Sequence, residues 1–196
     1  MISNPRQLAV ERARARWEDQ PVYLDTETTG ISKTDAVIEI AVIDAQGSPI
    51  LDTLVHTTRP ISVRAREIHG ITQQMIETAP SWEKVANQLQ TVLEGQVVGL
   101  YNARFDLKMI AQTNRQHGIP WDPTTGIKSF DLMELYGQFR GEKRPGRPGY
   151  RWFSLEEAGR QCGISLPNTH RARGDALLTR ALHRVLAEGG SGPVSP

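Results

Sequence analysis

The chain is poor in cysteine and almost without net charge. Cys162 is its single cysteine, so no internal disulfide is possible and a reducing compartment suits it. Its 23 Lys and Arg residues balance 22 Asp and Glu, leaving a formal charge of +1. No global charge excess announces a nucleic-acid partner, and any positive surface must be local. No stretch approaches the roughly 20 apolar residues of a membrane span. The N-terminal region carries Glu11, Arg12, Arg14, Arg16, Glu18 and Asp19, too much charge for a signal peptide. These absences predict a soluble, cytoplasmic protein with no membrane association.

The length of 196 residues fits one domain with a substantial core. Residues 5–18 have helical composition, so 1–20 read as an N-terminal helix extension. The main domain spans 21–188, and 189–196, rich in glycine, are expected to be a disordered tail. Strands are predicted at Val22–Leu24, Ala36–Ile43 (alternating) and Ile50–Thr57, with the turn Gln46–Pro49 between the last two. They form an antiparallel meander. Thr72 is placed to cap a short helix to Ile76, and Ser81 a longer one carrying Val85, Leu89, Val92 and Leu93. Further strands at Gln96–Tyr101 and Ile127–Phe130 alternate with helices at Phe105–Ile110, Leu132–Phe139, from Ser154, and at Arg173–Leu186. The pattern is α/β with a mixed sheet. Cys162 falls at a helix end and reads as a structural thiol rather than a reactive one.

Three segments concentrate chemistry. In Asp25-Thr26-Glu27-Thr28-Thr29-Gly30, the two acids project to one face if the strand persists. Paired carboxylates repel unless a cation lies between them, and their hard oxygens suit Mg²⁺ or Mn²⁺. The alternative is an acidic strand end before a turn. In Tyr101-Asn102-Ala103-Arg104-Phe105-Asp106, Asp106 starts a helix. It is either an inward carboxylate near a metal or an exposed first-turn acid favoured by the helix dipole. In His170-Arg171-Ala172-Arg173-Gly174-Asp175, the spacing puts His170 in a loop and Asp175 on the first turn of the next helix. Asp175 shares its inward side with Leu178 and Leu182. Taken alone, His170 reads as a solvated loop histidine before it reads as a catalytic one.

Taken together, acid-x-acid on the first strand, one acid on a middle helix and a His-plus-acid pair on the last helix resemble the DEDDh, or DnaQ-like, 3′→5′ exonuclease family. The resemblance covers about 21–187 and includes Ile68-His69-Gly70-Ile71-Thr72. It implies a ribonuclease H-like fold, a mixed five-stranded sheet flanked by helices, and two divalent cations, Mg²⁺ or Mn²⁺. It implies Asp25, Glu27, Asp106 and Asp175 as ligands, with His170 as general base. Two ions can clamp the attacking and leaving oxygens of phosphoryl displacement, and histidine titrates near working pH. Tyr101 departs from the family, whose proofreaders often have histidine there, and altered contacts beside the second ion are expected.

By the same resemblance, Thr26, Thr28 and Thr29 with Asn102 and Phe105 are substrate contacts. His69 and Ile71 pack near the terminal base, although His69 also reads as a buried turn histidine. The segment 140–153 gathers Arg140, Lys143, Arg144, Arg147 and Arg151 against Glu142, interleaved with Tyr150, Trp152 and Phe153. Cations for phosphates and aromatics under bases serve single-strand binding, here by Arg144, Arg147 and Trp152. The alternative is a solvated loop. Arg12, Arg14 and Arg16 read as an ordinary solvated helix face. The expected substrate is the 3′ end of single-stranded nucleic acid, DNA favoured, though no reader of a 2′-hydroxyl is identifiable. The alternatives are a partner-dependent proofreading or RNA-trimming nuclease and a non-catalytic nucleic-acid-binding module. No protein partner is indicated.

Overall fold

The computed structural model describes residues 4–190. Its centre is a five-stranded sheet of order β3-β2-β1-β4-β5, comprising β1 (Val22–Thr28), β2 (Val37–Ile43), β3 (Pro49–Leu54), β4 (Val97–Leu100) and β5 (Lys128–Asp131). β2 is antiparallel to β1 and β3, whereas β4 runs parallel to β1 and β5. The carboxyl ends of β1, β4 and β5 therefore meet at one edge of the sheet.

Apolar residues cover both faces. Val22, Leu24, Ile40, Val42, Val98 and Leu100 pack with α4 (Trp82–Leu93) and α5 (Ala103–Gln116). Tyr23 and Ile43 pack with Leu178, Leu182 and Leu186 of α9 (Ala172–Ala187). Covering both faces explains why β2 is buried at all seven positions and lacks the half-buried alternation expected of it.

The helix at Pro5–Glu18, α1, starts with Asn4 Oδ1 accepting from the Arg6 N–H at 3.0 Å and Pro5 at the first position, a favoured start. Ala9 and Ala13 are fully buried, and their small size lets α1 lie close on α9. His183 of α9 joins three elements. Its Nε2–H donates to the Ala13 carbonyl at 2.9 Å, and its Nδ1 accepts from the Tyr23 hydroxyl at 2.7 Å. Burial holds this imidazole down, at about 4, so it packs neutral.

Two helices were not anticipated: α2 (Val63–His69) and the single turn α6 (Pro123–Gly126). Thr72 caps α3 (Gln73–Ile76), accepting from the Met75 N–H. Ser81 occupies the cap position of α4 without a capping hydrogen bond. α7 (Leu132–Arg140) and α8 (Leu155–Gln161) complete the fold. Cys162, half-buried beside α8, has its thiol pushed up by burial, which suits a structural role. Gly189 and Gly190 donate to the Leu186 and Val185 carbonyls and end α9. The rest of the expected tail, 191–196, lies outside the described residues. No helix among the described residues is long and apolar enough to cross a membrane.

Candidate active site

Asp25 and Glu27 sit two and four residues after Tyr23 on β1. They therefore share its face, the one covered by α9. Across the ladder Glu27 stands opposite Glu39 of β2, and like charges so placed repel. Arg171 resolves this conflict. Its Nε lies 3.0 Å from both Glu39 oxygens, and its Nη2 lies 2.5 Å from Oε1. The second Glu39 oxygen also accepts from the Ala172 N–H at 3.0 Å. Arg171 occupies the N-cap of α9 without a side-chain capping bond. A carboxylate from the sheet thus satisfies the helix end and fixes where α9 begins.

That anchor places the adjacent catalytic candidates. His170 is exposed and has φ 48°, a left-handed conformation uncommon for a residue with a side chain. Its N–H donates to Asn168 Oδ1 at 3.1 Å. Thr169 donates its N–H to Asp175 Oδ1 at 3.0 Å. A Cβ on Gly174 would come 2.0 Å from Thr169 Oγ1, so only glycine lets the turn fold down onto α9. Asp175 follows on the first helical turn, buried, as the sequence indicated.

Asp106 arrives from the first turn of α5 and is buried. One of its oxygens accepts from both the N–H of Thr26 at 3.1 Å and its hydroxyl at 2.7 Å. Asn102 adopts φ 64° at the N-cap without a side-chain capping bond. Asp131 from the end of β5 supplies the cap instead, accepting from the N–H groups of Asn102 and Ala103 at 3.1 and 3.0 Å. Tyr101 donates its hydroxyl to the Phe153 carbonyl at 2.9 Å.

Ligand oxygens of Asp25, Glu27 and Asp175 all lie within 4.8 Å of one another. Burial, then the neighbouring carboxylates, push Asp25 well above the usual carboxylate range and Glu27 up to about 9. Burial also raises Asp175 and Asp106, with the Thr26 hydrogen bonds pulling Asp106 back. So many acids in one cleft are stable only with protons or cations among them. Arg171 is committed to Glu39, which leaves Asp25, Glu27, Asp106 and Asp175 to be neutralised. All-oxygen donors of this kind fit hard divalent cations.

Residues 22–182 match the family model described as exonuclease, of the ribonuclease T type. The chain belongs to the DnaQ-like exonuclease family. The exonuclease is 36% identical over 186 residues to the uncharacterized exonuclease CP81 of Escherichia phage 186, covering 92% of this chain and 95% of that one. It is 31% identical over 163 residues to the PolC-type DNA polymerase III of Thermotoga maritima, covering 81% of this chain but 11% of the polymerase. Among solved structures it resembles Exonuclease X bound to 5′-overhanging duplex DNA, with TM-score 0.62 and 25% identity over 85% of this chain and 90% of that one. The fold also matches an E. coli ExoI–ssDNA complex, with TM-score 0.68 and 20% identity over 83% of this chain and 39% of that one.

The expected substrate contacts divide. A cavity of about 260 Å³ opens beside Glu27 and is lined by Thr26, Thr28, Ile68, His69 and Phe105 among others. Two of its polar side chains, Thr28 and His69, are engaged with backbone groups. Thr28 donates its hydroxyl to the Gly30 carbonyl at 2.7 Å. His69 donates from Nε2 to the Thr28 carbonyl at 3.2 Å and accepts at Nδ1 from the Ile71 N–H at 2.9 Å. His69 is thus a buried, hydrogen-bonded turn histidine that also lines the cavity. Two expectations need correction. Thr29 is fully buried, its hydroxyl donating to Asp35 at 2.8 Å. Ile71 is fully buried against Ile38 and Ile76. Neither presents a surface to a ligand, because the segment after β1 turns inward and α2 packs over it. Asn102 is exposed at the end of β4.

The basic segment is an ordered excursion. Lys143 and Tyr150 form an antiparallel bridge. Arg140 and Arg151 pair with Glu142, and Arg151 also with Glu157. Arg144 lies over the Trp152 ring, 4.3 Å from its centroid, and Lys143 over Tyr150 at 4.1 Å.

Sequence reasoning missed Glu39 and Arg171. The available signal was a lone carboxylate inside the apolar run Val37-Ile38-Glu39-Ile40-Ala41-Val42-Ile43, which demands a buried partner.

Proposed function

We propose that this exonuclease removes nucleotides from the 3′ ends of single-stranded nucleic acid, with DNA favoured. The convergence of the Asp25, Glu27 and Asp175 oxygens, with Asp106 reaching β1 from α5, carries the reading. Asp25, Glu27, Asp106 and Asp175 would hold two divalent cations, Mg²⁺ or Mn²⁺. Four carboxylates balance the charge of two such ions once Glu39 is paired with Arg171. When bound, the ions supply charge neutralisation at the phosphodiester and at the attacking and leaving oxygens. His170, exposed at the start of α9, takes the proton from the attacking water. The cavity beside Glu27 holds the terminal nucleotide, with Phe105 and Ile68 against the base. Asn102, exposed where α5 begins, contacts the strand.

The relatives support the polarity and the strand type. One Staphylococcus aureus relative, 26% identical over 163 residues, is named 3′-5′ exonuclease DinG, and Exonuclease X and ExoI were solved with DNA. The similarity to PolC-type polymerases favours a second reading, in which the exonuclease acts beside a polymerase. A cytoplasmic setting belongs to the same proposal, supported by a single cysteine without a disulfide partner. The test is digestion of labelled single strands with one end blocked. Blocking the 3′ end should stop shortening and blocking the 5′ end should not; the opposite pattern rejects the polarity.

A further inference from the structure

The hairpin spanning 143–152 leaves the body between α7 and α8. Two contacts fix its base. The Tyr101 hydroxyl, at the carboxyl end of β4, holds the Phe153 carbonyl. Gly137 of α7 lies so close that a Cβ there would come 2.7 Å from the Arg151 carbonyl. β4 is parallel to β1, so this anchor sits at the same sheet edge as the acidic site.

Within the hairpin the charges divide by function. Glu142 and Glu157 engage Arg140 and Arg151 at its base. Lys143, Arg144 and Arg147 have no carboxylate partner among the described residues. Lys143 and Arg144 instead lie on ring faces of Tyr150 and Trp152. Cation–π contact orients a cation without neutralising it. The rings thus support the hairpin's own cations, and a base stacking on those same faces would have to displace them.

We propose that 143–152 is a docking element for the nucleic-acid strand upstream of the cleaved end, and that it grips phosphates through Lys143, Arg144 and Arg147 rather than stacking bases on Trp152. The proposal rests on the exonuclease reading above and adds the mode of strand recognition. Phosphate contact is independent of sequence, so the hairpin confers length dependence without sequence preference. It also confers positive character locally on a chain whose net charge is only +1.

The test compares wild type with the double variant Arg144→Gln/Arg147→Gln. Binding of a long single strand is followed over a salt series in EDTA, so that the strand stays intact. The double variant should bind about tenfold or more weakly. Its log–log salt slope should flatten by about 1.4, from about 0.7 per phosphate contact on a single strand. A long strand with abasic positions upstream of its 3′ terminus should bind wild type as tightly as the intact strand. Trp152→Ala should weaken binding by releasing Arg144, and Trp152→Phe should restore it. Metal-dependent cleavage of a trinucleotide, which carries a single phosphate upstream of the scissile one, should be equal in wild type and double variant. Unchanged affinity and slope in the double variant would overturn the proposal, as would loss of binding to the abasic strand. Absence of metal-dependent shortening of the long strand by wild type would instead reject the nuclease reading, while the binding series still decides the hairpin.

Discussion

Around Asp25 the supporting groups Thr26, Glu39, Asp131 and Arg171 are tied to protein partners while Asp25 and Glu27 are left to one another, whereas along 143–152 Lys143 and Arg144 lie on aromatic rings. The acidic centre gathers like charge in a partly buried cleft and must be held together. Glu39, Arg171, Thr26 and Asp131 do this by capping helices and spacing carboxylates. The hairpin spreads like charge at the surface, where solvent screening makes the arrangement inexpensive. The contrast teaches that repulsion in the centre is compensated by geometry and by the cations it is proposed to bind. Repulsion in the hairpin is left available for a polyanion.

Disabling the centre should have the largest effect. Asp175→Asn is expected to reduce cleavage to background while the circular-dichroism spectrum stays native. His170→Ala should lower kcat by about 10²–10⁴ with little change in strand affinity. A full rate across pH 6–8 in steady-state assays would remove His170 from the role of base. Glu39→Gln leaves Arg171 without its charge partner and weakens the anchor of α9. A fall in kcat of about 10–100-fold, as for other outer-shell positioning groups, is expected with KM nearly unchanged. An equal loss in KM would mean that Glu39 serves binding instead.

The centre also sets a pH signature in metal-free protein. Glu27 is raised to about 9 and Asp25 well above its ordinary value. A carboxyl whose folded pKa exceeds its unfolded one stabilises the fold when protonated, so this stability is lost as pH rises from about 4.5 toward 9. In melting experiments without metal, Tm should therefore fall between pH 6 and pH 9. Asp25→Asn should raise Tm at pH 8 by about 2–4 °C for each kcal/mol of repulsion relieved. A flat profile would show that the cluster is not strained. The double variant Arg144→Gln/Arg147→Gln should leave this profile unchanged.

Much of this arrangement was legible in the residues. Asp25 and Glu27 followed from strand alternation. Asp175 followed from sharing a helical side with Leu178 and Leu182, and the helices of 103–116 and 172–187 from their apolar spacing. Local pattern was insufficient wherever the partner lay far along the chain. Glu39 and Arg171 are 132 positions apart, and nothing in either neighbourhood names the other. β2 was read as alternating because burial on its second face depends on helices that arrive later in the sequence. The seven-residue α2 and the single turn α6 are too short for periodicity to declare. Thr29 and Ile71 were assigned to substrate because the family motif surrounds them, while inward packing removes their side chains from any surface. Trp152 was assigned to bases, and only the folded hairpin reveals that Arg144 of the same segment lies over its ring.

The most direct test titrates Mn²⁺ into wild type and Asp175→Asn while recording Tm and the release of nucleotides from a 3′-labelled single strand. In wild type, the rise in Tm at pH 8 and the onset of release should follow the same titration curve. In Asp175→Asn, release should be absent and the Tm rise much reduced. Release without added metal in chelated wild type, or full release by Asp175→Asn, would contradict the assignment of the acidic centre as a metal-dependent nuclease site.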